Sequence, residues 1–497
     1  MIADRRTKIV ATLGPASESE DMIRQLVRAG VNVFRLNFSH GSYEEHATLI
    51  RRVRQVSLEM QAPVTILQDL QGPKIRVGKF KEGKIELKTG ERVRITMDPI
   101  LGEPGLIPSD FPELLESVQV GDVILLDDGL LKLKVVHLGS DHIDAEVIDG
   151  GWLKDRKGMN IPGRTLKVEC LTDKDIADLE FGLRHEVDVV ALSFVRFPKD
   201  LRYLRELIQT KTERSVRICA KIEMLEAIQN LEEIVRLSDI VMVARGDLAI
   251  EVGQSKLPFY QKEIIRLANR YNKPVITATQ MLDSMVSHPR PTRAEITDVA
   301  NAVLDGADAL MLSAETATGR YPVECVKTMD EIIREVEQSS EQIYHKLSLD
   351  SEFMNDPTAI AASAAFTALK VNAKVIVCLS TTGKTARIIS GFRPKARLIA
   401  ATDRFEVLNE LEMVWGLHSI VVSSYKTMRE VKSQIEGYLL SYGLAQPGDK
   451  AVMTLGLPID QGAKTNTLHT WTISQQEYQR LPDNNIPVRF RQNPMLS

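Results

Sequence analysis

Positive charge in excess, paired cysteines and long apolar runs are all missing from this 497-residue chain. Each absence closes a class of function. The 63 Lys and Arg against 67 Asp and Glu leave a formal charge of -4, so the chain as a whole has no electrostatic pull toward nucleic acid or an anionic membrane. The four cysteines, Cys170, Cys219, Cys325 and Cys378, lie too far apart for a disulfide framework or a metal-ligand spacing. They read as reduced, buried thiols of a cytoplasmic protein. Residues 1–10 lack the apolar core of a signal peptide, and no uninterrupted apolar run approaches the length of a membrane span. The expectation is a cytoplasmic protein with no nucleic-acid or membrane partner.

What is present has the balance of an ordinary soluble protein, 43% hydrophobic and 26% charged. The length exceeds what one core holds, so two or three domains are expected. Strand-like apolar runs at 9–11, 33–36, 64–67, 187–192, 216–220, 240–244, 275–278 and 309–312 alternate with helix-like segments. One such helix covers 21–28 and is closed by Gly30. Another has Leu225, Ile228, Leu231 and Ile234 on one apolar face, and a third has Leu257, Tyr260, Ile264, Leu267, Ala268 and Tyr271. Eight strand and helix units are the arithmetic of an α/β (β/α)8 barrel, whose active site lies at the carboxyl ends of the strands.

Polar groups follow all but the first of the inferred strands. They include Arg35, Asn37, Ser39 and His40; Asp69 and Lys74; Ser193 and Arg196; Lys221 and Glu223; Asp247; Thr279 and Gln280; Ser313 and Glu315. Helix capping explains some Ser, Thr and Asp at such places. It does not explain Arg35, Lys74 or Lys221. Two successive parallel strands ending at Lys221-Ile222-Glu223 and Arg245-Gly246-Asp247 bring both carboxylates to one edge of the sheet. Paired carboxylates suit Mg²⁺, a hard ion completed by waters and phosphate oxygens, and an adjacent lysine suits a moving phosphoryl group. A surface ion pair is the alternative for these residues alone.

Residues 77–161 alternate differently. Runs such as Lys84-Ile85-Glu86-Leu87 and Arg92-Val93-Arg94-Ile95, with turns at Gly90, Gly121 and Asp128-Gly129, read as antiparallel hairpins. They form a small β-barrel domain inserted into a catalytic barrel made of 1–76 and 162–346. Joined at two points, it is either a lid over the strand ends or a fixed insertion. Beyond a polar linker at 348–356, residues 357–473 resume the α/β pattern as an open-sheet domain. Its first strand ends in Ser380-Thr381-Thr382-Gly383-Lys384-Thr385 before a helix. Cys378 stands where a P-loop needs its first glycine, so that motif fails. A hydroxyl-rich turn suited to one phosphate remains, with plain helix capping as its alternative. Residues 474–497 carry three prolines and no clear period.

Taken together, these motifs resemble the pyruvate kinase family over about residues 7–472. They run in the family's order: Arg35-Leu36-Asn37-Phe38-Ser39-His40-Gly41, Gly72-Pro73-Lys74-Ile75-Arg76, Ala220-Lys221-Ile222-Glu223 and Ala244-Arg245-Gly246-Asp247-Leu248, then Ala278-Thr279-Gln280-Met281-Leu282 and Pro289-Arg290-Pro291-Thr292-Arg293-Ala294-Glu295. The resemblance implies a phosphotransferase that moves phosphate from phosphoenolpyruvate to ADP, giving pyruvate and ATP at the end of glycolysis, in a homotetramer. It implies that Glu223 and Asp247 bind Mg²⁺ or Mn²⁺, that Lys221 and Arg35 hold the phosphoryl group, and that Asn37, His40 and Arg76 lie toward the nucleotide. The substrate carboxylate would meet backbone amides at Gly246 and Asp247 beside the Thr279 hydroxyl. Thr279 and Ser313 would orient a proton-delivering water.

Departures from the family pattern sharpen this expectation. Potassium-dependent members bind K⁺ near the positions of Asn37, Ser39, Asp69 and Leu70 and carry a glutamate where this chain has Lys74. A fixed ammonium at Lys74 implies an enzyme that does not require K⁺; an ordinary solvated lysine is the alternative. Phe197 stands where some members have a nucleotide-contacting lysine, and Ala249 replaces a usual glycine. Gly456-Leu457-Pro458-Ile459-Asp460 lacks the Trp and Arg that grip a second effector phosphate in some relatives, which favours activation by a sugar or nucleotide monophosphate at 380–385. Two other functional classes compete: a Mg²⁺-dependent lyase or aldolase of pyruvate enolates, and a non-enzymatic sugar-phosphate sensor.

Overall fold

The computed structural model describes residues 5–164, 168–344, 355–459 and 464–474. The linker expected at 348–356 falls largely outside them, as does the 474–497 tail beyond Ser474.

Eight parallel strands close into a barrel: Lys8–Thr12, Val33–Asn37, Thr65–Asp69, Val189–Leu192, Arg217–Ile222, Ile240–Ala244, Val275–Ala278 and Ala309–Leu312. Each pairs with its neighbours in sequence, and the first closes on the last with Ile9 opposite Leu310. Alternate residues point inward, so Val10, Val33, Leu67, Val189, Cys219, Met242, Ile276 and Met311 fill the centre. Met413, from the C-terminal domain, completes this core. The opposite faces pack on the surrounding helices through Ile9, Phe34, Ile66, Val190, Ile218 and Val241. Local signals fix where the helices start. Ser42 with Glu45, Thr172 with Asp175 and Thr292 with Glu295 form reciprocal caps that satisfy amides left free at a helix N-terminus.

One expected helix is two. The apolar face from Leu225 to Ile234 belongs to Leu225–Gln229 and Leu231–Leu237, which meet at Asn230. The Asn230 side-chain amide donates to the Arg196 carbonyl (3.3 Å) and to that of Glu226 (2.8 Å). Such side-chain competition for backbone groups breaks the turn while the apolar spacing survives.

The insertion leaves the barrel after Thr65–Asp69 and returns before the Asp173–Arg184 helix. It holds a curled six-stranded sheet and a two-stranded ribbon. The hairpin expected between the first two strands does not form. Lys84–Leu87 pairs with Gly151–Lys154, whereas Arg92–Thr96 lies between His142–Asp149 and, in parallel, Leu106–Pro108. At the turn, Gly90 has φ 86° and donates its N–H to the Val147 carbonyl (2.8 Å), which directs the chain onto a distant strand. The Asp128-Gly129 turn does close a hairpin, joining Val123–Leu126 to Leu131–Leu138.

The C-terminal sheet orders its strands Leu417–Val421, Arg397–Thr402, Val375–Leu379, Lys450–Leu455 and Thr467–Thr472, with only the last antiparallel. Helices cover both faces, giving it a core on each side. All four cysteines are free and buried. No described helix is long and apolar enough to cross a membrane.

Candidate functional site

The carboxyl ends of the second to sixth barrel strands carry an alternating set of cations and carboxylates. Asp69, the last residue of its strand, is 1% exposed. Its Oδ2 accepts from Arg35 Nε at 2.6 Å and its Oδ1 lies 3.2 Å from Lys221 Nζ. One buried carboxylate thus orients two cations. Lys221 also donates to Ser193 Oγ (2.7 Å) and pairs with Glu223 Oε1 (3.1 Å). Ser193 in turn donates to the Leu70 carbonyl (2.6 Å). Burial alone would lower the pKa of the Lys221 ammonium, but Asp69 and Glu223 outweigh it and hold the pKa above the ordinary lysine value. Lys221 therefore stays charged.

Glu223 is 2% exposed, and its Oε2 accepts the Phe194 N–H at 2.7 Å. Burial, and then Asp247, raise its carboxyl pKa even though Lys221 opposes them. Asp247 Oδ1 receives Lys74 Nζ at 3.0 Å. The two carboxylates expected to converge do so closely enough for Asp247 to raise the Glu223 pKa. A divalent cation suits this pair, because it would answer the residual repulsion that Lys221 and Lys74 leave. Among the described residues no group of three or more His, Cys, Asp or Glu is placed to hold a metal. Remaining ligands would have to come from substrate and water.

Arg245 is the residue whose part was not legible in the sequence. It opens the Arg245–Val252 helix, pairs doubly with Asp298 at 2.8 and 2.9 Å, and donates to the carbonyls of Ala278 and Thr279. It thereby holds the end of the seventh strand, where Thr279 has φ 69° and Gln280 φ 53°. Positive φ at a β-branched residue is strained, and such strain gathers at functional sites. The Thr279 hydroxyl donates to the Ala278 carbonyl at 2.7 Å, and a Cβ on Gly246 would lie 3.9 Å from Thr279. Gly246 and Asp247 lie in the first turn of a helix without a side-chain cap, where the backbone amides have no partner within the helix. Ser313 is set by its own N–H, which donates to Glu315 Oε2 at 2.6 Å.

His40 and Arg76 share a neighbourhood with Arg35. Burial first, then Arg76 and Arg35, lower the His40 pKa. Asn37 Oδ1 accepts the Ser39 N–H (3.2 Å), which turns the loop, and His46 takes the His40 carbonyl (2.9 Å) while stacking on Phe38. Arg76 reaches across to the Arg156 carbonyl of the insertion (3.1 Å). Lys199 lies 5.7 Å from the Phe197 ring centroid.

In the C-terminal domain, Gly383 has φ 68° and its N–H donates to Ser380 Oγ (2.9 Å). Thr381, Thr382 and Lys384 are exposed, and the Thr385 hydroxyl is shared with Thr465 (2.7 Å). Lys384 lines a cleft toward the barrel.

Residues 4–326 match the family model of the pyruvate kinase barrel domain, and residues 358–470 that of the pyruvate kinase alpha/beta domain. The chain is 44% identical to a pyruvate kinase of Geobacillus stearothermophilus, over 95% of this chain and 81% of that one. It is 43% identical to one of Staphylococcus aureus, over 93% and 80%. A solved pyruvate kinase from Cryptosporidium parvum superposes with a TM-score of 0.88 at 36% identity, covering 94% of this chain and 96% of the other.

Proposed function

The chain belongs to the pyruvate kinase family, and from that membership we propose that the cations around Asp69, Glu223 and Asp247 move a phosphoryl group from phosphoenolpyruvate to ADP. The observation that carries this reading is Lys221 Nζ, fixed by Asp69 at 3.2 Å, Glu223 at 3.1 Å and Ser193 at 2.7 Å. Phosphoryl transfer needs positioning and charge stabilisation more than a protein nucleophile. Lys221 and Arg35 are positioned to hold the transferring group, each kept in place by an oxygen of Asp69. Glu223 and Asp247 are the residues that would hold Mg²⁺ or Mn²⁺, which when bound supplies Lewis-acid neutralisation of phosphoryl oxygens. The phosphoenolpyruvate carboxylate would be held by the amides of Gly246 and Asp247. His40, Asn37 and Arg76 form the nucleotide side.

When the P–O bond to the enol breaks, its electron pair stays on the enolate, whose carbon must then gain a proton. Thr279 and Ser313 orient the water that delivers it, since neither hydroxyl is acidic enough to act alone. Lys74 replaces the charge that K⁺ brings elsewhere in the family, and its ion pair with Asp247 supports that role. We take residues 1–76 and 162–346 as the catalytic barrel, 77–161 as its lid and 357–473 as a regulatory domain. The 380–385 turn would bind the phosphate of a sugar or nucleotide monophosphate activator. A homotetramer and a cytoplasmic location follow from the family.

The test is to follow pyruvate and ATP together from phosphoenolpyruvate, ADP and Mg²⁺. Equal amounts of both support the kinase. Pyruvate without ATP points to a lyase, and no turnover with or without sugar phosphates points to a sensor. Titrating ribose 5-phosphate, glucose 6-phosphate and AMP into the assay tests the effector reading, and a flat response to all three rejects it.

A further inference from the structure

A cleft of about 400 Å³ separates the amino ends of the fifth, sixth and seventh barrel strands from the C-terminal domain. It lies at the opposite end of the barrel from Lys221 and Asp247. Five cationic side chains line it: Arg217, Arg270 and Lys273 from the barrel, Lys384 and Arg387 from the helix Lys384–Gly391. Two carboxylates, Asp239 and Glu410, answer them. Both are already engaged. Arg217 Nε pairs with Glu410 Oε2 at 2.6 Å, and Arg205 pairs with Asp239 Oδ2 at 3.0 Å. Lys273 spends its protons on the carbonyls of Ser238 (2.6 Å) and Arg236 (3.1 Å). The lining thus carries three more positive than negative groups across two domains.

We propose that this interdomain cleft binds a phosphorylated small metabolite, a phosphomonoester dianion whose hydroxyls meet Asn272 and Asn355. The volume falls in the range of sites for small organic ligands, about 300–1,000 Å³. An arginine-rich pocket suits phosphate because guanidinium groups offer paired donors in a plane. Among the described residues Arg387 hydrogen-bonds directly only to the Thr382 carbonyl (Nη2, 3.0 Å), and burial, then the neighbouring Arg217, push its pKa down to about 10 against Glu410 and Asp239. The site adjoins the hydroxyl turn at 380–385: the two share Lys384, and Arg387 donates to the Thr382 carbonyl, but no other residue of the turn lines the cleft. A ligand here would bridge barrel and C-terminal domain. The fifth strand has Arg217 at one end and Lys221 near the other, so the occupied cleft adjoins the backbone that carries the catalytic lysine.

The experiment is calorimetric titration of the full chain with glucose 6-phosphate, ribose 5-phosphate, AMP and inorganic phosphate. It compares the unaltered protein with Arg270→Gln, Arg387→Gln and the double variant Thr381→Ala/Thr382→Ala. Arg270 is exposed at the end of its helix, so its replacement opens no cavity in the core. The expected result is that at least one phosphomonoester binds, and that each arginine variant weakens it about tenfold or more, as loss of a charged hydrogen bond does. The Thr381/Thr382 variant separates the two sites: it should lose only binding held by the 380–385 turn and retain the binding that the arginine variants weaken, and loss of that binding as well overturns the proposal. Unweakened binding in both arginine variants, or no binding by any of the four compounds, overturns the proposal. Because binding is read without turnover, that failure would leave the catalytic reading untouched.

Discussion

Lys74 Nζ lies 3.0 Å from Asp247 Oδ1, joining two residues 173 positions apart across the mouth of the barrel. Lys74 also lies 6.0 Å from the Phe194 ring centroid. A tethered ammonium is therefore part of the carboxylate cluster, and under the proposed reading it takes the place of an ion from solution. Replacing it by a carboxylate, Lys74→Glu, should remove that charge and set a third anion beside Asp247. The variant is expected to be at least about tenfold slower in K⁺-free buffer, the cost of one lost charged contact, and to recover when K⁺ is added. A variant as active without K⁺ as the unaltered protein speaks against the surrogate role.

Lys221 is the cation most completely held, and its charge is secured by Asp69 and Glu223. Lys221→Gln should lower kcat by about 10²–10³-fold or more while leaving KM for phosphoenolpyruvate within a few-fold, as expected for a group that acts on transition-state charge. A rise in KM alone, with kcat intact, would assign Lys221 to ground-state binding instead.

Thr279 occupies φ 69° because Arg245 grips the carbonyls on either side of it. A non-glycine residue in such a conformation costs about 1–3 kcal/mol. Thr279→Gly should therefore hold or raise the Tm, less the entropy that glycine adds to the unfolded chain, while kcat falls. Steady-state kinetics paired with thermal melts check this. A drop in Tm of several degrees would show that the conformation is not strained.

Much of this arrangement could be read in advance. Eight buried strands announce themselves as short apolar runs, and the residues that follow them, such as Glu223 and Asp247, are placed by topology alone. Periodicity carries no information about partners distant in the chain. Nothing in Gly72-Pro73-Lys74 says that the lysine reaches Asp247, and nothing near Lys84 selects Gly151–Lys154 over the next strand in sequence. The break at Asn230 was hidden because its cause is one side-chain amide, while the apolar spacing continues through it. Arg245 stands within a sequence motif, but its work on Thr279 depends on the adjacent strand. The final strand, Thr467–Thr472, reads as polar and lies at the sheet edge.

Glu251 makes stability pH-dependent at the root of the insertion. Burial first, then Glu226, push its pKa up to about 8, against hydrogen bonds from the Asn160 side chain and the Gly163 amide. A carboxyl raised in the folded state is protonated there and ionised when unfolded. Its favourable contribution is full below the ordinary value of 4.5 and is lost as pH rises toward about 8. Glu251→Gln keeps a neutral group, so its stability should exceed that of the unaltered protein increasingly between about pH 5 and 8, by on the order of 2–4 kcal/mol at the upper end. Urea unfolding at both pH values measures it. Parallel pH profiles for the two proteins would remove Glu251 from the account.

The most direct test of the central claim is the initial rate of pyruvate formation from phosphoenolpyruvate, ADP and Mg²⁺ as K⁺ is raised from zero in Tris buffer. The account predicts a substantial rate that stays flat, with Lys74 as the resident cation. A rate that starts near zero and climbs with K⁺ would contradict it.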